Sequence, residues 1–170
     1  MNSNLVARSV TVQSGAGLGG TGELSTVDGM TVKSGGSLFG GEWNRGGVLT
    51  LGGKVTLEGG SALRVEVGAS NDRIGCVKLA PGSTLALGDP VYVDVATDPR
   101  VSPVRGASCK VLDWSEASFD SGAAPTAADF VERPERNHDL KKISVSVRDD
   151  GLYVGYVSVR CPQVFRINIR

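Results

Sequence analysis

Histidine is almost absent from this chain: His138 is the only one among 170 residues. A Ser-His-Asp relay would have to pass through that single imidazole, which follows Asn137 in a charged connection, and no serine stands in a Gly-x-Ser-x-Gly elbow. One histidine also falls short of a catalytic zinc site, and Cys76, Cys109 and Cys161 match neither a C-x-x-C pair nor zinc-ligand spacing. No metal or cofactor is expected. Two buried small hydrophobes are the reading for Cys76, beside a strand, and Cys109, in an apolar segment; one disulfide plus one free thiol is the other. Net charge is lacking too, because 18 Lys and Arg balance 18 Asp and Glu, so no overall field draws nucleic acid or an anionic membrane. Long apolar runs are missing, which excludes a membrane-spanning helix, and Met1 to Arg8 have no apolar h-region of a signal peptide. Aromatic residues make up only 5%, so any core must be built from small aliphatic side chains.

Glycine, in contrast, is abundant at 24 residues. Several of these glycines belong to a phrase of apolar, any, apolar, two residues, glycine, two residues, leucine. It occurs at Val10 to Leu18, Met30 to Leu38, Val55 to Leu63 and Val77 to Leu85. Alternating apolar positions such as Val10 and Val12 give a short strand with one dry face. The glycine suits a corner that needs positive φ or close backbone approach, and the leucine returns to the interior on a second short strand. Starts spaced 20 to 25 residues apart imply stacked units, none of which can bury its apolar face alone. The expected fold is all-β: a right-handed β-solenoid (β-helix) over residues 1–88, followed by a β-rich cap over 89–170. The cap holds a loop at 115–140 and a hairpin at 143–157 turning at Asp149-Asp150-Gly151. A β-sandwich is the alternative, since its hairpins recur at similar spacing. The tail, residues 161–170, receives no assignment.

The four phrases, the segment Asn71-Asp72-Arg73-Ile74, the continuation Leu85-Ala86-Leu87 and the terminal strand pair resemble the autotransporter-associated β-strand repeats of Gram-negative bacterial surface and secreted passenger proteins. The resemblance covers roughly residues 6–114 and extends more loosely to 157. It implies a non-catalytic structural or display segment of an exported, adhesin-like surface protein. Such a segment would be secreted or held at the outer membrane as a piece of a longer chain, and its partners would be host or extracellular glycans or proteins. Direct membrane insertion and nucleic-acid binding are not expected.

Chemistry is sought where the repeat stops. Gly15 to Gly20 satisfies G-x-G-x-x-G, but the following residues offer no helix N-terminus for a pyrophosphate. Phe119-Asp120-Ser121-Gly122-Ala123 resembles the active-site loop of aspartic peptidases. That resemblance implies Asp120 as catalytic carboxylate, with Ser121 and Gly122 beside it, acting on secreted proteins such as mucins. One such loop per chain would require a homodimer, and Asp28 is a poor second carboxylate because no Ser or Thr separates it from Gly29. The competing reading is an ordinary Asp-Ser-Gly turn. Trp43, Trp114, Tyr153 and Tyr156 are candidates for a glycan-stacking platform, were they to share one surface.

Overall fold

The computed structural model describes residues 4–42, 46–67, 74–97, 108–133 and 140–158. Trp43, His138, Cys161 and the tail 161–170 lie outside the described residues, as do Asn71 to Arg73. The described residues are all-β apart from one 3-10 turn at Ala127–Asp129. Its strands form three open sheets that the chain visits in rotation. The first sheet takes β1 (Asn4–Ala7), β4 (Gly22–Thr26), β7 (Gly47–Gly52), β10 (Gly75–Leu79) and β13 (Ser108–Asp113), in that order. The second takes β2 (Val10–Val12), β5 (Met30–Val32), β8 (Lys54–Leu57), β11 (Thr84–Leu87) and β14 (Ser118–Phe119). The third takes β3 (Gly17–Leu18), β6 (Ser37–Leu38), β9 (Ala62–Val67), β12 (Val91–Thr97) and β15 (Phe130–Glu132). All these pairings are parallel. At the far edge of the first sheet, β13 is followed by β17 (Gly151–Ser158) and β16 (Leu140–Arg148), both paired antiparallel.

This arrangement overturns the expected right-handed β-solenoid over 1–88 with a separate cap. The described strands make three mostly parallel sheets, none of them closed or curled on itself. β12, β13, β14 and β15, expected in the cap, are further members of those sheets. The β-sandwich alternative fails as well, because hairpin-linked neighbours would pair antiparallel and, among the described strands, only the pairings made by β17 do so.

The reason lies in how the phrases align. The first three stack directly: Val10 on Met30 on Val55 in the second sheet, and Leu18 on Leu38 on Leu63 in the third. The fourth does not join them. Val77 pairs with Leu49 in the first sheet, while Leu85 is the residue that continues the Val10 row. Stacked positions of the second sheet are therefore separated by 20, 25, 30 and finally 34 residues, Val10 to Met30 to Val55 to Leu85 to Phe119. Successive layers lengthen, and a phrase of fixed length drifts onto a different sheet.

Corner glycines hold the layers together. Gly15, Gly35, Gly60 and Gly82 all adopt φ between 76° and 85°, the left-handed region that a Cβ disfavours. The amide of Gly15 donates to the carbonyl of Gly35, Gly35 to Gly60, and Gly60 to Pro90, so one corner of four layers is joined by a single run of hydrogen bonds. Inside, leucine and valine form continuous rows, and Trp114 ends them. Its ring lies 2% exposed, stacked on Phe130 at 6.2 Å and edge-on to Phe119 at 6.0 Å. Its indole N–H donates to the Asp149 carbonyl, so this large ring is buried with its polar atom satisfied.

Gly75 and Gly40 bring two layers' backbones into contact: a Cβ on Gly75 would strike the Gly40 carbonyl, and one on Gly40 would strike the Cys76 backbone. Gly75→Ala is expected to cost roughly 3 kcal/mol, since neither backbone can yield cheaply. Gly82→Ala meets open space and is expected to cost only about 1 kcal/mol for its positive φ. Urea unfolding of both variants measures the difference.

Candidate functional site

Asp120 follows β14, at the place where the fifth layer leaves the second sheet. Its amide donates to the Leu85 carbonyl at 2.9 Å, continuing the ladder. The next residues make a turn: the Gly122 amide donates to the Phe119 carbonyl, Gly122 has φ 73°, and the Ser121 hydroxyl donates to the Ala123 carbonyl at 3.1 Å. Ser121 is thus committed to its own turn and makes no described hydrogen bond to the Asp120 carboxylate. That carboxylate instead accepts from Lys54 Nζ at 2.9 Å, with both side chains about half exposed. Asp28 accepts from Arg8 Nε at 2.8 Å. Each candidate carboxylate is therefore held by a separate cation, and the structure does not bring the two together into a proton-sharing pair.

Beside this turn lies a shallow hollow of about 280 Å³, lined by Leu87, Phe119, Ser121, Pro125, Thr126 and Asp129. Asp129 is turned back on its own loop, accepting from the Thr126 amide at 2.6 Å and from the Thr126 hydroxyl at 2.9 Å. The hollow's one carboxylate thus caps local backbone rather than facing the space.

The aromatic candidates are dispersed. Trp114 is in the core, Trp43 and the Tyr156 side chain fall outside what is described, and Tyr153 lies on the outer face of the first sheet. The Arg148 guanidinium packs over the Tyr153 ring at 3.9 Å, and Lys110 Nζ sits 5.6 Å from its centroid.

Around Tyr153 is the densest polar cluster among the described residues. Lys110 Nζ reaches Asp150 Oδ2 at 2.6 Å and Asp113 Oδ2 at 3.3 Å. The Tyr153 hydroxyl donates to Asp150 at 3.0 Å, and the Ser115 hydroxyl donates to Asp113 at 2.7 Å. Partial burial works against the Lys110 charge, but the hydrogen bonds to Asp150 and Asp113 outweigh it and hold its pKa above the ordinary lysine range. Burial likewise works against the Asp113 charge, yet donation from the Ser115 amide and hydroxyl and from Lys110 leaves its pKa lowered. Asp150 is lowered chiefly by its Lys110 hydrogen bond. Nearby, Cys76 is pushed up to about 11, first by burial and then by the negative charge of Asp113, so it is a protonated thiol at neutral pH and a poor nucleophile. Burial also raises Cys109.

Sequence reasoning singled out none of Lys110, Asp113 or Asp150, because they come from a strand and a hairpin turn far apart in the chain. A second cluster of this kind joins Arg133 to the buried Asp94 at 3.3 Å, with the guanidinium 4.1 Å over Tyr92. Both groupings pair cations with carboxylates across neighbouring strands. Among the described residues, no three His, Cys, Asp or Glu side chains are placed to hold a metal ion. No family model, no curated protein and no solved structure matches this chain.

The Lys110 cluster ties the terminal hairpin to β13, and its pH dependence follows from its signs. Asp113 and Asp150 have lowered pKa values, so their contribution is complete above the unfolded carboxylate value near 4 and disappears as pH falls through their folded values. Lys110 is raised, so its contribution is complete below roughly pH 10 and is lost only as pH rises through its folded value. Lys110→Met is expected to lower stability by about 1 kcal/mol at pH 7, after allowance for solvent screening, and to flatten the loss as pH falls below about 4. Thermal melts at graded pH check this.

Proposed function

We propose that this chain is a non-catalytic structural and display segment of an exported bacterial surface protein. The observation that carries the reading is a series of cross-layer ion pairs: Arg8 with Asp28, Lys33 with Glu58, Lys54 with Asp120, and Lys78 with Glu116. Asp120, the residue with the strongest claim to chemistry in the sequence, and Asp28, its poor second, are members of this series. Their carboxylates serve as outward braces between strands, each with its own cation, and the Asp-Ser-Gly segment serves as a corner. A general acid–base pair needs two carboxyl groups close enough to share one proton, and within one chain braces spaced along a stack do not supply that.

The rest of the molecule suits the same role. Parallel layers in register make a stiff support, and open glycine corners such as Gly82 face solvent on an otherwise paired backbone. The resemblance of the repeat phrases to autotransporter-associated β-strand repeats supports export and surface location. Extracellular glycans or proteins are the partners that such a display segment would meet.

Purified protein incubated with denatured substrate or mucin between about pH 3 and 7 is expected to show no pepstatin-sensitive cleavage. Cleavage abolished by pepstatin and by Asp120→Asn would overturn the scaffold reading. A short hydrophilic epitope inserted after Gly82 is expected to be bound by its antibody while the melting temperature falls by no more than a few degrees. Collapse of the fold on insertion would argue against a display role.

A further inference from the structure

Across the outer face of the first sheet, the register sets Asn4 beside Glu23, Glu23 beside Thr50, Thr50 beside Lys78, and Lys78 beside Asp113. Lys78 is taken by Glu116 at 3.0 Å. Glu23 is thus flanked by an amide and a hydroxyl, whereas Asp28, Glu58, Glu116 and Asp120 each have a cation. Among the described residues its carboxylate has no cation partner and accepts one long hydrogen bond, 3.4 Å from the Ser25 hydroxyl.

Glu23 lines an open hollow of about 350 Å³ together with Asn4, Thr21, Val48 and Thr50. The alternation that buries Leu24, Leu49 and Leu51 turns Glu23, Val48 and Thr50 outward. Strands stacked beyond β1 would lengthen the rows without covering this face. The polar groups here are uncommitted: among the described residues, Asn4, Thr21 and Thr50 make no side-chain hydrogen bond. In the hollow beside the Asp-Ser-Gly turn, by contrast, Ser121 and Asp129 are committed to their own loop.

This lining selects a class of ligand. An anion would meet a carboxylate and no cation. A calcium-like ion needs about six to eight oxygen ligands, and among the described residues no three His, Cys, Asp or Glu are placed for a metal. An ammonium group would satisfy Glu23 but offers no acceptor to Asn4, Thr21 or Thr50. An apolar ligand would strip water from a carboxylate, an amide and two hydroxyls without replacing its hydrogen bonds. A neutral sugar answers every group: its hydroxyls donate to Glu23, both donate to and accept from the other three, and a C–H face rests on Val48. The volume falls within the range of small-ligand clefts, about 300–1,000 Å³.

We infer that this hollow is a binding site for one neutral sugar residue of an extracellular glycan. The hollow's role rests on the display reading above, which brings glycans to this surface, but the two fail separately. Absent sugar binding removes the site and leaves the display role, whereas pepstatin-sensitive cleavage removes the display role. Among the described residues no aromatic ring lines the hollow, so dissociation constants in the millimolar range are expected.

Amide chemical-shift titration of the full chain with glucose, galactose, mannose and N-acetylglucosamine, each from about 1 to 100 mM, tests this. At least one sugar is expected to move the amides of Gly22, Glu23, Val48 and Thr50 saturably. Glu23→Ala and Thr50→Val are outward substitutions whose folding is checked by circular dichroism, and each is expected to weaken that binding at least about fivefold. Thr11→Val, on the outer face of the second sheet, is expected to leave it unchanged. No localised shift with any of the sugars, saturable shifts with calcium alone, or sugar binding that persists undiminished in both variants would each overturn the inference.

Discussion

The hydrogen-bonded register between parallel strands is the constraint from which the rest of this molecule follows. Because side chains alternate with a period of two along a strand, pairing Val10 with Met30 and Met30 with Val55 places apolar groups on apolar groups through every layer. A slip by one residue would bring Thr11, Thr31 and Thr56 into the core rows. The corner glycines exist to keep that register while the chain turns, and this is why a chain so poor in aromatic residues still has a dense interior. Each short layer buries its leucines and valines only against the layers beside it.

The outer surface obeys the same constraint. Strands held at fixed spacing put side chains of neighbouring layers at regular distances, and opposite charges on them become cross-layer pairs. Arg8–Asp28, Lys33–Glu58 and Lys78–Glu116 are products of the stack, and Lys54–Asp120 is one more of them. Exposed pairs of this kind contribute little individually. The Lys110–Asp113–Asp150–Tyr153 cluster differs in being partly buried, and it fastens the antiparallel hairpin onto an otherwise parallel sheet.

Local features were legible without coordinates. The all-β character, the alternation of Val10 and Val12, and the corner role of the phrase glycines follow from periodicity and from the freedom of a residue lacking Cβ. The Asp-Ser-Gly segment was legible as a turn or as a peptidase loop, and short-range chemistry cannot choose between them, because Ser121 suits both. What the structure adds is Lys54, which lies 66 residues earlier and meets Asp120 only when three strands of the second sheet stand side by side. The Lys110 cluster was hidden for the same reason.

What the sequence determined by itself was the local vocabulary: short amphipathic strands, glycine corners, and a chain that must stack to bury its apolar face. What only the tertiary structure decided was which copy of the phrase stacks on which. The fourth phrase matches the first three in composition yet sits on a different sheet, because the lengthening layers make Leu85 rather than Val77 the continuation of the Val10 row. Pro90 takes the corner place that glycine holds in earlier layers, and Phe119 ends the row that Val10 began. A repeated phrase reports what a segment can do, since propensity is local. Register is settled by the summed burial of whole layers, and that sum exists only once the chain has folded back on itself.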